Sequence, residues 1–129
     1  VVRGICCLRA GVPDETDNIH IISIVGRYLE HSRIYIFGRG ERARYYIGSA
    51  DWMTRSTLRR VEIAAPVTAP TLKARLQHIF NTMLADNSNA RVQQPDGNYV
   101  RRMPGADAVD CQAQFYEEAY QANVHSDLK

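Results

Sequence analysis

Two strand-like segments on either side of a glycine-containing turn impose the strongest constraint on how this chain folds. Residues 31–37 and 44–48 are rich in β-branched and aromatic side chains, and residues 38–42 (Gly-Arg-Gly-Glu-Arg) join them. Two such runs with a short glycine-containing connection predict a β-hairpin. Because successive side chains of a strand point to opposite faces, the first strand is expected to place His31 and Arg33 on one face. Both side chains can then reach the same ligand.

The rest of the chain alternates between strand-like and helical patterns. After Pro70, apolar side chains recur at helical spacing and predict a long helix: Leu72, Leu76, Ile79, Phe80, Met83 and Leu84. Further strands are predicted over residues 2–8, 19–25 and 61–67, a second hairpin over residues 90–103, helices over residues 49–59 and 107–123, and a frayed end over residues 126–129. These elements indicate an α+β fold, with a mixed β-sheet flanked by helices in a single domain over residues 1–129.

The cysteines and the lengths of the apolar runs limit the classes of protein to which this chain can belong. Cys6 and Cys7 are neighbours in a predicted strand and therefore point to opposite faces, so a bridge between them is disfavoured. With Cys111 the count is odd, which favours reduced thiols, buried as small apolar side chains in a cytosolic protein. No apolar run reaches the ~18 residues of a transmembrane helix. The chain opens on a strand-like run without methionine, which suggests a piece of a longer protein.

Arginine is concentrated in the middle of the chain. The formal net charge is only +2, yet residues 33–60 hold seven arginines (33, 39, 42, 44, 55, 59 and 60) and two acids. The planar guanidinium group forms bidentate hydrogen bonds with phosphate oxygens, so this basic cluster indicates a phosphate-rich partner. A solvated surface without a ligand is the alternative interpretation.

His31, Arg33 and a later carboxylate form a pattern suited to phosphoryl chemistry. Arginine stabilises the charge on the oxygens of a transferred phosphoryl group. Histidine acts as a nucleophile or as a general acid toward the leaving oxygen. The Glu62 carboxylate is placed to orient the imidazole through its second nitrogen. The turn at residues 48–50, at the predicted helix start, would offer backbone N–H groups to an anion.

Ser49 and Asp51 supply an oxygen at this predicted helix start, where a side chain commonly caps the free backbone N–H groups. Together with His31-Ser32-Arg33, the run Gly48-Ser49-Ala50-Asp51 resembles one half of a phospholipase D-type active site. That superfamily carries His-x-Lys followed by Gly-Ser-x-Asn. Here arginine replaces the lysine, aspartate replaces the asparagine, and Gly38 stands where the superfamily has a downstream aspartate. These departures argue against an ordinary phospholipase or nuclease.

Longer segments resemble the C-terminal catalytic domain of bacterial polyphosphate kinase, which has a phospholipase D-like fold. The resemblance rests on residues 2–8 (VRGICCL), 23–35 (SIVGRYLEHSRIY), 49–55 (SADWMTR) and 59–62 (RRVE). It is dense up to about residue 84. Residues 56–58 depart from it, because they read Ser-Thr-Leu where the family has asparagine followed by an apolar-acidic pair.

The resemblance implies reversible transfer of the terminal phosphate of ATP to polyphosphate. The substrates would be ATP, ADP and inorganic polyphosphate, with Mg²⁺ bound mainly outside this fragment. The implied partners are the preceding catalytic domain of the same chain and further copies in a homo-oligomer, without nucleic acid. A cytoplasmic or membrane-associated location is implied, and the fragment alone is expected to be inactive.

The resemblance also assigns roles to single residues. His31 matches the family's second essential histidine, which faces a phosphohistidine of the preceding domain, and Glu62 matches an active-site acid. The expected ATP and phosphate ligands are Arg3, His31, Arg33, Ser49 and Asp51, and no residue is expected to ligate a metal. Trp52, Tyr45 and Tyr46 are expected to pack within the fold rather than stack on an adenine. The alternative function is a polyanion-binding module of a degenerate phospholipase D-like protein.

Overall fold

The computed structural model describes residues 1–105 and 107–124. These residues form two compact units: a central unit, His31–Asn81, and a terminal unit, which comprises Val1–Glu30 and the chain from Thr82 onward. In chain order the elements are β1 (Ile22–Ile24), β2 (Ile34–Phe37), a 3₁₀ turn (Gly40–Arg42), β3 (Arg44–Gly48), α1 (Thr54–Arg59), β4 (Ala64–Val67), α2 (Pro70–Ala85), β5 (Ala90–Gln93), β6 (Tyr99–Arg101) and α3 (Cys111–Val124). The expected frayed end, residues 126–129, lies outside the described residues.

The α+β class predicted from the sequence is confirmed, but the sheet is not the expected mixed one. Each unit has its own three-stranded sheet, with strand order β2-β3-β4 in the central unit and β1-β5-β6 in the terminal unit. All four strand pairings are antiparallel. Short connections join β2 to β3 and β5 to β6, and such hairpins produce antiparallel rather than parallel neighbours.

The hairpin of β2 and β3 forms as predicted and provides two of the three strands of the central unit's sheet. Ile34 pairs with Ile47, and Phe37 pairs with Arg44. The 3₁₀ turn connects the strands, and Gly38 next to it adopts a φ of 86°, a left-handed conformation that glycine accepts without strain. Side chains of paired residues share a face, so the face that holds Phe37 also holds Arg44.

Both ends of this hairpin region differ from the sequence-based expectation. Strand β2 begins at Ile34, so the strand predicted at residues 31–33 is wrong. The partner strand β3 ends at Gly48, whose N–H donates to the Arg33 carbonyl at 3.1 Å. Residues 31 and 32 therefore have no strand opposite them in this hairpin. Helix α1 begins at Thr54 rather than at residue 49. His31 and Arg33 therefore precede the strand instead of sharing one of its faces.

The predicted first strand, residues 2–8, is irregular and mostly exposed. Val2 donates one backbone hydrogen bond to the Ile22 carbonyl at 2.8 Å, and residues 2–8 form no further pairing with β1, which remains the edge strand of its sheet. The strand prediction is therefore wrong. All three cysteines are free, as expected, but Cys7 is exposed and Cys6 half-buried, so only Cys111 confirms the predicted burial.

The terminal unit has a small apolar core with a buried carboxylate beside it. Asp86 is fully buried and its Oδ1 accepts the backbone N–H groups of the three residues from Ser88 to Ala90, while Oδ2 accepts that of Cys111 at 2.9 Å. The core side chains are Ile21, Ile22, Ile24, Met83, Ala90 and Cys111. Asp86 thus ties the loop after α2 to the start of α3.

The charge of Asp86 also sets the protonation of its neighbour. Burial opposes ionisation, but hydrogen bonds from Cys111, Asn89 and Ala90 outweigh it, so the pKa of Asp86 is lowered. Burial first, and then the hydrogen bond and charge of Asp86, raise the pKa of the Cys111 thiol to about 12. The pair is therefore a carboxylate bonded to a neutral thiol.

Helix α2 confirms the helix predicted after Pro70, although its apolar side chains are less buried than their spacing suggests. Of the six residues in that pattern, Met83 is buried, whereas Leu72 and Leu84 are exposed. Tyr45 of β3 is buried, and its hydroxyl donates to the Gln77 side-chain oxygen at 2.6 Å, which confirms its expected packing. None of the helices in the described ranges is long and apolar enough to cross a membrane.

Candidate functional site

Arg33 lies immediately before β2 and is anchored on two sides. Its Nε donates to Asp51 Oδ1 at 3.0 Å, and its Nη2 lies 2.9 Å from the same oxygen. Its Nη1 donates to the backbone carbonyl of His31 at 3.2 Å. Because a guanidinium group carries five N–H donors, these contacts leave others free for a phosphate oxygen.

Asp51 links two arginines ahead of helix α1. Besides the bond to Arg33, its Oδ2 lies 3.8 Å from Nη2 of Arg55, four residues later. The capping role predicted for Asp51 is wrong, since α1 begins at Thr54 and Met53 occupies the N-cap without a side-chain capping bond. Asp51 is thus a partner of arginines, and its expected contact with phosphate remains a prediction.

Ser49 and Glu62 are held together at the adjoining end of the sheet. The Ser49 hydroxyl donates to Glu62 Oε2 at 2.5 Å and accepts the Ile63 N–H at 3.0 Å. The Ser49 N–H donates to the Ile63 carbonyl, also at 3.0 Å. These bonds extend the contact between β3 and the residues before β4, so the Ser49 N–H is not free at a helix start. Glu62 is therefore bonded to Ser49 rather than to His31.

Gly48 permits this close approach of neighbouring segments. A Cβ atom at this position would lie 2.8 Å from Tyr35 Cε2 and 3.2 Å from the Ile63 carbonyl oxygen. The Tyr35 hydroxyl in turn donates to the Ala50 carbonyl at 2.7 Å. The glycine therefore makes room for the ring that fixes the turn after β3.

An open groove with aromatic walls, here called the aromatic groove, lies beside these residues. Its volume is about 370 Å³. The ring centroids of Tyr35 and Trp52 are 5.9 Å apart, as are those of Phe37 and Tyr46. Its lining is completed by Ala50, Asp51, Glu62, Ile63 and Ala64. Trp52 is 80% exposed, so the expectation that it packs inside the fold is wrong.

His31 and Arg3 are the two predicted site residues that the structure leaves without side-chain partners in its described part. The His31 side chain is exposed, and its backbone carbonyl is the group that contacts Arg33. Arg3 lies in the irregular first segment of the terminal unit and is also exposed. The roles of both residues remain predictions.

Most of the basic cluster is uncompensated. Arg33 and Arg55 pair with Asp51, whereas the side chains of the other members make no hydrogen bond or ion pair to any residue that the structure describes: Arg39, Arg42, Arg44, Arg59 and Arg60. All five are exposed. Unpaired guanidinium groups at a surface attract polyanions without first having to break an internal ion pair.

Binding of a metal ion such as Mg²⁺ depends on which side chains of the described residues cluster together. Within residues 1–105 and 107–124, no group of three or more histidine, cysteine, aspartate or glutamate side chains is placed to hold a metal ion. The nearby carboxylates of Asp51 and Glu62 are already bonded to arginine and to serine. Each of these two carboxylates therefore already has a protein partner.

Two contributors to the site were not singled out from the sequence. Tyr35 lies two residues after Arg33, a spacing that indicates a shared strand face. Its hydrogen bond to the Ala50 carbonyl, however, depends on the conformation of the turn after β3. The ion pair of Asp51 with Arg55 has a local signal, because acid and base are four residues apart at the start of a predicted helix.

A sequence model of the family described as "Polyphosphate kinase C-terminal domain 2" matches residues 1–114. The chain belongs to this family. It is 55% identical over 106 residues to the polyphosphate kinase of Synechocystis sp. strain PCC 6803, and 47% identical over 122 residues to that of Bacillus anthracis. These matches cover 82% and 94% of the chain, and the chain spans only 15% and 17% of the two relatives.

One solved structure is similar to this chain in fold. The crystal structure of the polyphosphate kinase from Porphyromonas gingivalis is similar with a TM-score of 0.85 and 36% sequence identity. The similarity covers 92% of this chain and 18% of that one. The resemblance to polyphosphate kinase inferred from the motifs is thereby confirmed, and with it the α+β fold.

Proposed function

We propose that this chain supplies part of the active site of a polyphosphate kinase, an enzyme that reversibly transfers the terminal phosphate of ATP to polyphosphate. Family membership supports the activity. The observation that carries the assignment to this region is the anchoring of Arg33 by the Asp51 carboxylate and the His31 carbonyl. This anchoring fixes a cation two residues from the histidine that the family resemblance marks as essential.

In the proposed chemistry this chain contributes mainly electrostatic stabilisation rather than a covalent intermediate. A transferred phosphoryl group carries its charge on the equatorial oxygens, and a cation held in place lowers the barrier without reorganising. Arg33 has this property because two separate elements hold its guanidinium. His31 then serves as the general acid toward the leaving oxygen or as a phosphate ligand, facing a phosphohistidine of the preceding catalytic domain. Arg3 binds the nucleotide phosphates.

Asp51, Ser49 and Glu62 act through their neighbours in this proposal. Asp51 positions Arg33, and its second oxygen faces Arg55. Ser49 holds the Glu62 carboxylate in a fixed orientation. A negative charge fixed near a basic phosphate site keeps the guanidinium groups directed and limits nonspecific capture of anions.

The remaining parts of the proposal concern the whole enzyme. ATP, ADP and polyphosphate are its substrates, it works in the cytoplasm, and it assembles as a homo-oligomer in which this chain adjoins the preceding catalytic domain. The Mg²⁺ that the family resemblance implies is assigned no ligand among the described residues, because they form no metal site. The chain of 129 residues alone is expected to turn over no ATP.

The test is substitution of His31 in the complete enzyme. His31→Ala should abolish polyphosphate synthesis, which is measured as consumption of ATP and formation of long-chain phosphate. The circular dichroism spectrum and the thermal midpoint should stay unchanged. His20→Ala is the matched control, because His20 is exposed and lies outside the proposed site. A folded His31→Ala enzyme with full activity would remove His31 from the mechanism.

A further inference from the structure

The tip of the β2–β3 hairpin, defined as residues 38–44, concentrates positive charge that the proposed active site does not use. Arg39, Arg42 and Arg44 lie within six residues of one another, and all three are exposed. None of their side chains makes a hydrogen bond or ion pair with a described residue. Glu41 is the only acid in the tip. The hairpin therefore presents three free guanidinium groups at its closed end.

This end of the hairpin is structured. The Ala43 N–H donates to the Gly40 carbonyl at 3.1 Å and closes the 3₁₀ turn. Arg44 belongs to β3 and pairs with Phe37. Because the backbone that bears the arginines is fixed, binding an extended anion there costs less ordering entropy than binding to a loose loop.

The charge of the tip belongs to a wider asymmetry between the two units. Residues 31–81 carry nine Lys and Arg against three Asp and Glu, a net charge of +6. The rest of the chain carries seven against eleven, a net charge of −4. A polyanion is therefore attracted selectively to the central unit, where the tip adds its unpaired charges to those near Arg33.

The position of the tip separates it from the proposed phosphate site along one hairpin. Arg33 and Ser49 lie at the open end of the two strands, and the tip lies at the other. A four-residue strand such as β2 spans roughly 13 Å. A triphosphate is too short to occupy both ends at once, whereas a long linear polyphosphate can follow the hairpin from one end to the other.

We propose that the hairpin tip is an accessory binding site for the distal part of a long polyphosphate chain. The ligand is a linear polyphosphate rather than a nucleic acid. Residues 38–44 include no aromatic side chain on which a base could stack. Beside the tip, the ring of Tyr45 is buried, and the ring of Phe37 packs edge to face against Tyr46. This inference names a substrate contact for the proposed function and so rests on it.

The experiment measures binding by the 129-residue chain to two inorganic ligands. Labelled polyphosphate of about 100 phosphates and tripolyphosphate are titrated by fluorescence anisotropy against Arg39→Ala, Arg42→Ala and Arg44→Ala. Each substitution should weaken long-chain binding about two- to fivefold, as for an exposed ion pair. The slope of log K against log salt should fall by about one per arginine. Tripolyphosphate binding should not change.

Arg75→Ala is the matched control, because Arg75 is exposed on α2 of the same unit and lies outside the tip. It should leave long-chain binding unchanged. Three results would overturn the inference: tip variants that bind the long chain like the wild type, an equal loss with Arg75→Ala, and an equal loss for tripolyphosphate. Tighter binding of single-stranded RNA of the same charge would also overturn it.

The outcome is separable from that of the proposed function. The tip test measures chain-length-dependent binding and does not involve His31. The activity test varies His31 and leaves the tip arginines intact. If the tip variants bind long polyphosphate like the wild type and His31→Ala abolishes synthesis, only the accessory site is refuted. If the tip variants lose long-chain binding and His31→Ala stays active, only the catalytic assignment is refuted.

Discussion

The Ser49 hydroxyl donates a 2.5 Å hydrogen bond to the Glu62 carboxylate. The same serine exchanges two further bonds with the backbone of Ile63, one through its hydroxyl and one through its N–H. One residue thus closes the end of the β3–β4 pairing and orients the acid. The structural role of Ser49 can therefore be measured separately from the role at the phosphate site that we propose for it.

Ser49→Ala should lower the free energy of unfolding by about 1 kcal/mol, since it removes two side-chain hydrogen bonds at an exposed position. Glu62→Gln is the comparison, because the glutamine side-chain oxygen still accepts the serine proton. We expect Glu62→Gln to stay within about 0.5 kcal/mol of the wild type. Urea denaturation of the 129-residue chain measures both. Equal stability of Ser49→Ala and the wild type would show that these bonds contribute nothing.

Asp51→Asn should separate binding from catalysis in the complete enzyme. Asparagine keeps the side-chain oxygen that accepts from Arg33 but loses the charge of the ion pair, so the guanidinium is held less firmly, and kcat/KM for polyphosphate synthesis should fall by about 10-fold. Nonspecific binding of long polyphosphate should not weaken, because the substitution removes a negative charge.

Arg55→Ala is the control for Asp51→Asn, because it leaves the bond of Asp51 with Arg33 in place. Its kcat/KM should fall much less than that of Asp51→Asn. If both variants lost activity equally, the 3.8 Å contact of Asp51 with Arg55 would matter as much as the anchoring of Arg33.

The elements that the sequence predicts well are those whose signals are local. The β2–β3 hairpin follows from its glycine-containing turn, and α2 follows from the spacing of apolar residues after Pro70. The strand over residues 2–8 has the right composition but lacks a partner strand beyond its contact at Ile22, and partners are not local. Ser49 resembles a helix cap in sequence, yet its hydroxyl is taken by Glu62, thirteen residues later. The aromatic groove likewise depends on how β3 and β4 align.

Ser56→Ala should stabilise the chain. Ser56 is 2% exposed, and its hydroxyl has no hydrogen-bond partner among the described residues. A buried hydroxyl without a partner costs desolvation energy that a methyl group avoids, so the gain should be about 1 kcal/mol. Ser32→Ala, at an exposed position, is the control and should change little. A loss of 1 kcal/mol or more in Ser56→Ala would mean that the hydroxyl makes a bond that stabilises α1.

Asp86→Asn should destabilise the terminal unit by about 2 to 3 kcal/mol. Asparagine can still accept the N–H groups after α2 through its oxygen, but its amide then faces the N–H of Cys111, and two donors cannot bond each other. Urea unfolding at pH 7 measures the loss. Asp110→Asn is the matched control, because Asp110 Oδ1 accepts the N–H groups of Gln112 and Ala113, and asparagine is also a good N-cap.

The pH dependence provides an independent check on Asp86. Its pKa is lowered in the folded chain, so the folded state binds this proton less readily than the unfolded state does. The stabilisation is therefore complete above the unfolded pKa of about 3.9 and is lost as the pH falls through the lower folded value. Wild-type stability should drop more steeply than that of Asp86→Asn over this acidic range. Parallel curves for the two proteins would show that the carboxylate charge does not hold the loop to α3.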